Sequence, residues 1–156
     1  MRFLLPVLIV FLSGCTLLTE HRSGLVDGDL QPCPQAPRCV SSQAQNERHA
    51  IAPLSLAKAP EEAWPVVKQL LQAMPRTSIV DERENYLRAE IVSPWHVYTD
   101  DLELLIQPPQ KLIDVRSTGR IGYYDFNVNR DRVEALRAAL IKAGVVKPEP
   151  AEGPGN

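Results

Sequence analysis

What the chain lacks narrows its function first. No run of about 20 consecutive apolar residues, the length needed to cross a bilayer, occurs anywhere in its 156 residues. No basic run or Arg/Lys stripe is present and the formal net charge is −2, so nucleic acid is not expected as a partner. The fingerprints G-x-S-x-G, H-E-x-x-H, the phosphate-binding P-loop and the dinucleotide-binding glycine motif are all missing. "SLAK", residues 55–58, matches the S-x-x-K of serine acyl enzymes, but its companion S-D-N and K-T-G motifs do not occur. His49 and His96 are isolated, with no cysteine or second histidine at ligand spacing. No metal ion or cofactor is therefore expected, and no internal repeat is visible.

What is present begins with an address. "MRFLLPVLIVFLSGC" opens with a cationic Arg2 and continues into a ten-residue apolar run over residues 3–12. That run suits the apolar region of a secretory signal and ends in "LSGC", which resembles a bacterial lipobox. The resemblance implies cleavage before Cys15, a diacylglyceryl thioether on that cysteine, and stable anchoring by two or more acyl chains. Thr16 follows where an Asp would favour retention in the inner membrane. The expected place is thus the periplasmic face of the cell envelope, at the outer membrane. Residues 1–14 read as signal peptide and 15–32 as lipidated cysteine and tether. A single domain is expected over 33–144, and the proline- and glycine-rich residues 145–156 read as a disordered tail.

Of three cysteines, lipidation of Cys15 leaves the pair Cys33 and Cys39 in an oxidising compartment. Their C-x5-C spacing is poor for zinc, which favours C-x-x-C or four clustered ligands. A catalytic thiol would have to stay reduced in that compartment. A Cys33–Cys39 disulfide is the simplest account, contributing roughly 2–2.5 kcal/mol for so short a loop. Pro34 and Pro37 already stiffen that loop and reduce the gain.

Hydrophobic periodicity predicts a helix over residues 59–74, with Trp64, Val67, Leu70 or Leu71, and Met74 on its buried stripe. Pro65 is tolerable there only in the first turn. Strands are predicted over 76–82, 86–93, 101–107 and 111–117, and a last helix over 129–143 with Val133, Leu136 and Leu140 toward the core. Gly144 ends that helix. The fold class is α+β: a four-stranded antiparallel sheet with two flanking helices, order α-β-β-β-β-α, wet on the face away from the helices.

Several strings then look familiar together. "CPQAPRCVSSQA", "PRTSIV", "AEIVSPWHVYTDDLEL" and "DVRSTGRIGYYDFNVNRDRVEALR" closely resemble the domain-of-unknown-function 1499 family of bacteria and plastids. The resemblance runs from Cys33 to about Leu140. Arg38, Gly119 and Asn127 depart from its pattern, which has Asn, Ser and Gly at those places. It implies no established activity.

Two groups are candidate ligand-binding residues. Alternate residues share a face of a strand, so Glu90, Asp101, Glu103, Asp114 and Arg116 should project with Arg88. Asp101 and Glu103, two residues apart, offer carboxylates for acid/base work or cation binding, or else a solvated face of weak ion pairs. The second group is the loop "RSTGRIGYYDFNVNRDR". There Asp125, Asn127, Asn129 and Asp131 alternate like half a calcium loop, but Arg130 and Leu136 occupy the places that need Gly and Glu. Asn129 reads better as the N-cap of the last helix. Arg116, Arg120, Arg130 and Arg132 with Ser117 would form an anion pocket, or else pair with nearby acids. The expected function is a lipid-anchored, non-enzymatic module that binds a small anionic or lipid ligand or an envelope protein. The alternative is a hydrolase-like envelope enzyme using Asp101 and Glu103.

Overall fold

The computed structural model describes residues 23–149. The expected signal peptide, Cys15 and residues 150–156 lie outside the described residues.

Within the stretch expected as a tether, β1 (Leu25–Val26) and β2 (Asp29–Leu30) form a hairpin. Its turn is Asp27-Gly28, both with positive φ (52° and 92°), the sequence that two-residue hairpin turns favour. Next come β3 (Cys39–Ser41) and β4 (Leu54–Ser55). The Sγ atoms of Cys33 and Cys39 stand at disulfide distance, 1.99 Å.

Helix α1 (Pro60–Gln72) starts on a proline, whose missing N–H costs nothing at that position, with Glu61 and Glu62 in the first turn. Pro65 lies beyond the first turn, contrary to expectation. It is exposed, as is Glu61, whose carbonyl would have accepted the missing hydrogen bond, so water can take that place. The buried face of α1 is Ala63, Val67 and Leu71.

Strands β5 (Thr77–Arg83), β6 (Tyr86–Val92), β7 (Thr99–Gln107) and β8 (Leu112–Gly119) form the expected meander, with a register irregularity between Ile79 and Asp81. A 3-10 turn, Pro94–His96, sits between β6 and β7. Helix α2 (Val128–Lys142) closes the element order, and Gly144 turns the chain with φ 68°.

The main sheet has six strands, not the four expected, in the order β3-β8-β7-β6-β5, with β4 also on β8. β3 pairs with the C-terminal half of β8 (Val40 opposite Ser117) and β4 with its N-terminal half (Leu54 opposite Ile113). Two- and three-residue strands carry no readable alternation, so the sequence could not announce them.

Pairing places Leu87, Ala89, Ile91, Leu102, Leu104, Ile106, Ile113 and Val115 on one face. They pack with Val67 and Leu71 of α1 and with Val133, Leu136 and Leu140 of α2 in one apolar core. The packed chain runs past Gly144. Val145 and Val146 are buried, the Ala57 N–H donates to the Val145 carbonyl (2.8 Å), and the Lys147 N–H donates to the Ser55 carbonyl (2.8 Å). The core therefore extends beyond the boundary expected at 144.

Mass spectrometry of the unreduced protein should give a chain lighter by two hydrogens than after reductant. Reduction should lower the unfolding free energy by at most about 2–2.5 kcal/mol. A pair of free thiols would remove the staple.

Candidate functional site

The register bears out the first candidate group as a common face but not as an open one. Glu103 lies opposite Arg116, and both Arg88 and Glu90 on β6 face β7 partners, Glu103 and Asp101. Yet Asp101 and Glu103 are 0% exposed and Arg116 is 2% exposed. The wet face expected of the meander is thus covered over its centre. The hairpin accounts for part of this: Leu30 packs with Tyr86 and Leu105, and the Gly24 N–H donates to Glu103 Oε1 at 2.6 Å.

A carboxylate enclosed this fully must be compensated, because desolvating an unpaired charge costs several kcal/mol. Glu103 receives an ion pair from Arg116 Nη1 and a hydrogen bond from the Tyr86 hydroxyl (2.6 Å). Asp101 is held by Arg88 Nη1 (3.1 Å) and by Arg120 through Nε and Nη2 (both 2.9 Å), and Arg120 also pairs with Glu90. Asp114 accepts from Ser42 Oγ (2.7 Å) and Gln43 Nε2 (3.0 Å). The hydrogen bond to Asp101 and the nearby Glu90 hold the Arg120 guanidinium above its ordinary pKa. Burial, with the Glu103 carboxylate beside it, pushes the Tyr86 phenol well above its usual value. This face is a buried network of ion pairs in which neither Asp101 nor Glu103 reaches solvent.

Of the two readings of the arginines, an anion pocket or pairing with nearby acids, the pocket does not assemble. Arg116 and Ser117 are neighbours on β8 and so point to opposite faces of the sheet. Arg116 and Arg120 join the acids just described, and Arg130 donates to the Arg48 and Ala50 carbonyls (3.3 and 2.9 Å). Only Arg132 meets Ser117, donating to its Oγ (3.1 Å), to Asn129 Oδ1 (2.6 Å) and to Asp100 Oδ2 (2.6 Å). Asn129 is not the N-cap: Asn127 is, with φ 67°. Asn129 is buried inside the first turn, where Ser117 Oγ donates to its Oδ1 (2.6 Å). Asp125 Oδ2 accepts from its backbone N–H (3.0 Å) and from its Nδ2 (2.8 Å). The first turn of α2 is thus locked to β8 and β7 by Ser117, Asn129, Arg132 and Asp100.

His49 is likewise structural, its buried ring donating from Nδ1 to the Cys39 carbonyl at 2.7 Å. Among the described residues, no three His, Cys, Asp or Glu side chains cluster to hold a metal ion. No described helix is long and apolar enough to cross a membrane.

The more open feature lies at one end of the sheet; of its two walls, sequence reasoning singled out only the stretch after β8, whose Asp125 and Arg132 line it. Asp100 pairs with Gly119, so the loop before β7 (residues 93–98) lies beside the loop after β8 (residues 120–127). Between them is a cleft of about 360 Å³ whose wall includes Ile91, Pro94, Tyr98, Ile121, Tyr124 and Phe126. Arg132 and Asp100 line it as an ion pair, and Arg76 stands at its edge. Tyr124 and Phe126 meet edge to face at 5.1 Å. Gly119 is another lining residue, and a Cβ there would come within 3.3 Å of Asp100 Oδ1 and 3.4 Å of Arg38 Cδ. A larger cleft of about 520 Å³, beside the hairpin, is walled by amides such as Gln43, Gln45 and Asn46. The available signal for the first cleft was the pair of aromatic-rich strings "SPWHVY" and "GYYDF" between predicted elements.

The model of the family described as "Protein of unknown function (DUF1499)" matches residues 29–140, and the chain belongs to that family. No curated protein and no solved structure matches it.

Replacing Arg116 by Met should strand the Glu103 carboxylate and cost about 3–5 kcal/mol in urea unfolding. Glu82→Gln, which removes only the exposed Lys68–Glu82 pair, should cost less than about 1 kcal/mol. The raised Tyr86 pKa means that the fold favours the neutral phenol. Its contribution is complete below the ordinary tyrosine value of about 10 and is lost as pH rises above it. The urea midpoint of the native protein should therefore fall more steeply above that pH than the midpoint of Tyr86→Phe.

Proposed function

We propose that this chain is a lipid-anchored protein of the bacterial cell envelope whose domain is a non-enzymatic module for a small amphipathic anion. The anchor is Cys15, acylated after removal of residues 1–14, and Thr16 directs the protein to the outer membrane, facing the periplasm. The apolar run over residues 3–12 and the "LSGC" string support that part of the reading.

The observation that carries the binding reading is the aromatic-walled cleft between residues 93–98 and 120–127. Its volume, about 360 Å³, falls in the range of small-ligand sites, which are mostly apolar with a few placed polar groups. The ligand's apolar body lies against Ile91, Tyr98, Ile121 and Phe126. Its anionic group meets Arg76, whose exposed side chain, among the described residues, spends only Nε, on the Val92 carbonyl at 3.0 Å. A guanidinium with its fork still open suits a carboxylate or phosphate. Arg132 cannot serve in the same way while Asp100, Ser117 and Asn129 occupy it.

Native mass spectrometry of the protein purified from the envelope should show a retained small adduct. In titration, dodecanoate or dodecyl phosphate should bind, and Arg76→Ala should weaken either by about tenfold or more, the worth of a hydrogen bond to a charged group. A bare protein that takes up neither probe would overturn the binding reading. For the anchor, the mature chain should begin at Cys15 and carry a diacylglyceryl thioether. A mature chain beginning elsewhere would overturn that part alone.

A further inference from the structure

We infer that the two aromatic loops also form a membrane-docking face, which seats the domain end-on against the bilayer that holds its lipid anchor. The inference rests on the anchored reading of Cys15 and adds a second, non-covalent membrane contact.

Among the described residues, exposed apolar side chains are not scattered. Of the ten large ones among the described residues, eight lie in residues 95–98 and 121–128, at the end of the sheet where β7 starts and β8 finishes. Trp95 is 91% exposed and Phe126 81%, with Val97 and Ile121 beside them. Single exposed apolar residues need no explanation, but a concentration of this kind marks a contact surface. Both tips use left-handed backbone: Trp95 and His96 have φ of 69° and 55°, Phe126 and Asn127 of 54° and 67°. That region disfavours bulky side chains, so each tip holds its aromatic outward against local preference. The opposite end of the sheet is polar, with Glu84 and Asn85 in one turn and Gln110 and Lys111 in the other.

The chain outside the described residues selects the partner. The Gly24 N–H rests on Glu103, four residues along β7 from Thr99, a distance of about 13 Å along the strand. Cys15 precedes Ser23 by eight residues, which reach at most about 28 Å. An acyl anchor on Cys15 can therefore share one bilayer surface with Trp95 and Phe126, and so short a connection keeps the domain close to that surface. Trp and Tyr favour the headgroup level, where an apolar body and a polar tip are both satisfied. The charges nearby are mostly neutralised: Arg132 pairs with Asp100, and Arg120 with Asp101 and Glu90. Insertion is apolar in origin, unlike a polybasic contact, which salt would screen.

The test uses the full protein purified from the membrane fraction and returned to phosphatidylethanolamine–phosphatidylglycerol vesicles containing brominated phosphatidylcholine. Trp64→Phe leaves Trp95 as the sole tryptophan. Bromines near the headgroup end of the chains should quench about half of its emission, the depth expected of an interfacial contact. Raising salt from about 0.05 to 0.5 M should leave the quenching unchanged. Val97→Asp with Phe126→Asp, both at exposed positions, should abolish it while the acyl chains stay in place. Unquenched Trp95 in acylated protein overturns the docking face, and so does quenching that salt removes. The mass of the same sample reports the anchor separately. If Cys15 carries no lipid the anchored reading fails, and Trp95 then decides the face alone: quenched in excess vesicles it stands, unquenched it falls.

Discussion

The enclosed carboxylate of Glu103 constrains everything around it. A charge with no access to solvent requires a counter-charge and further hydrogen bonds within reach, because the desolvation cost exceeds what a single loose pair returns. Arg116 on β8 supplies the charge, Tyr86 on β6 a hydroxyl, and Gly24 ahead of the hairpin a backbone N–H. Three distant segments are thereby tied to the centre of β7. Such a pair contributes little to net stability compared with an apolar filling, but it penalises every arrangement that leaves it incomplete. It therefore fixes where the hairpin lies. A one-residue slip of β8 against β7 would move Arg116 to the wrong face and bring Val115 out of the core.

The same residues show what a sequence can and cannot disclose. Alternation of apolar and charged residues identified β6, β7 and β8 and placed the alternating apolar and charged residues it named on opposite faces, as the register does. It could not say whether the charged face meets water. A solvated face and a face closed over ion pairs have the same period, and the difference lies in which segment covers it, here in part β1 and β2. That hairpin carried a readable turn, Asp27-Gly28, but flanking strands of two residues gave no alternation to confirm it. The helices were legible to within a few residues because their stripes repeat over many positions. Pro65 misplaced nothing except the reason offered for tolerating it.

Site residues were less legible for a related reason: proximity in sequence is not proximity in space. Four arginines and a serine over residues 116–132 looked like one pocket, yet the alternation that defines β8 sends Arg116 and Ser117 apart. Two positions read more clearly once placed. Asn127 adopts φ 67°, a conformation that Gly favours and Asn tolerates better than other residues. Gly119 borders the Arg38 side chain so closely that a Cβ would press on Arg38 Cδ and Asp100 Oδ1. Arg38 and Gly119 are matched in steric terms: the long side chain at position 38 uses the room left by the missing one at position 119.

This pairing connects the cysteine staple to the cleft. Cys39 lies on β3 opposite Thr118, and Arg38, between the two cysteines, accepts the Gly119 N–H at its carbonyl (3.0 Å). The same carbonyl accepts from Asn129 Nδ2 (3.2 Å), while Arg38 Nη1 donates to the Gly122 carbonyl. The staple therefore closes a loop whose backbone and side chain hold both ends of the segment carrying Ile121, and Asn129 passes the constraint to the first turn of α2. From there Arg132 reaches Asp100, at the root of the loop that carries Trp95. Two aromatic tips with disfavoured backbone need a frame that over-determines them, since strained residues persist only where their surroundings leave no alternative. Here that frame is a chain of buried and half-buried polar contacts from Arg38 to Asp100, running along the helix side of the sheet. The ion pairs of the opposite face hold the same strands from behind. Polar groups buried on both faces thus act as scaffold for the apolar loops they support.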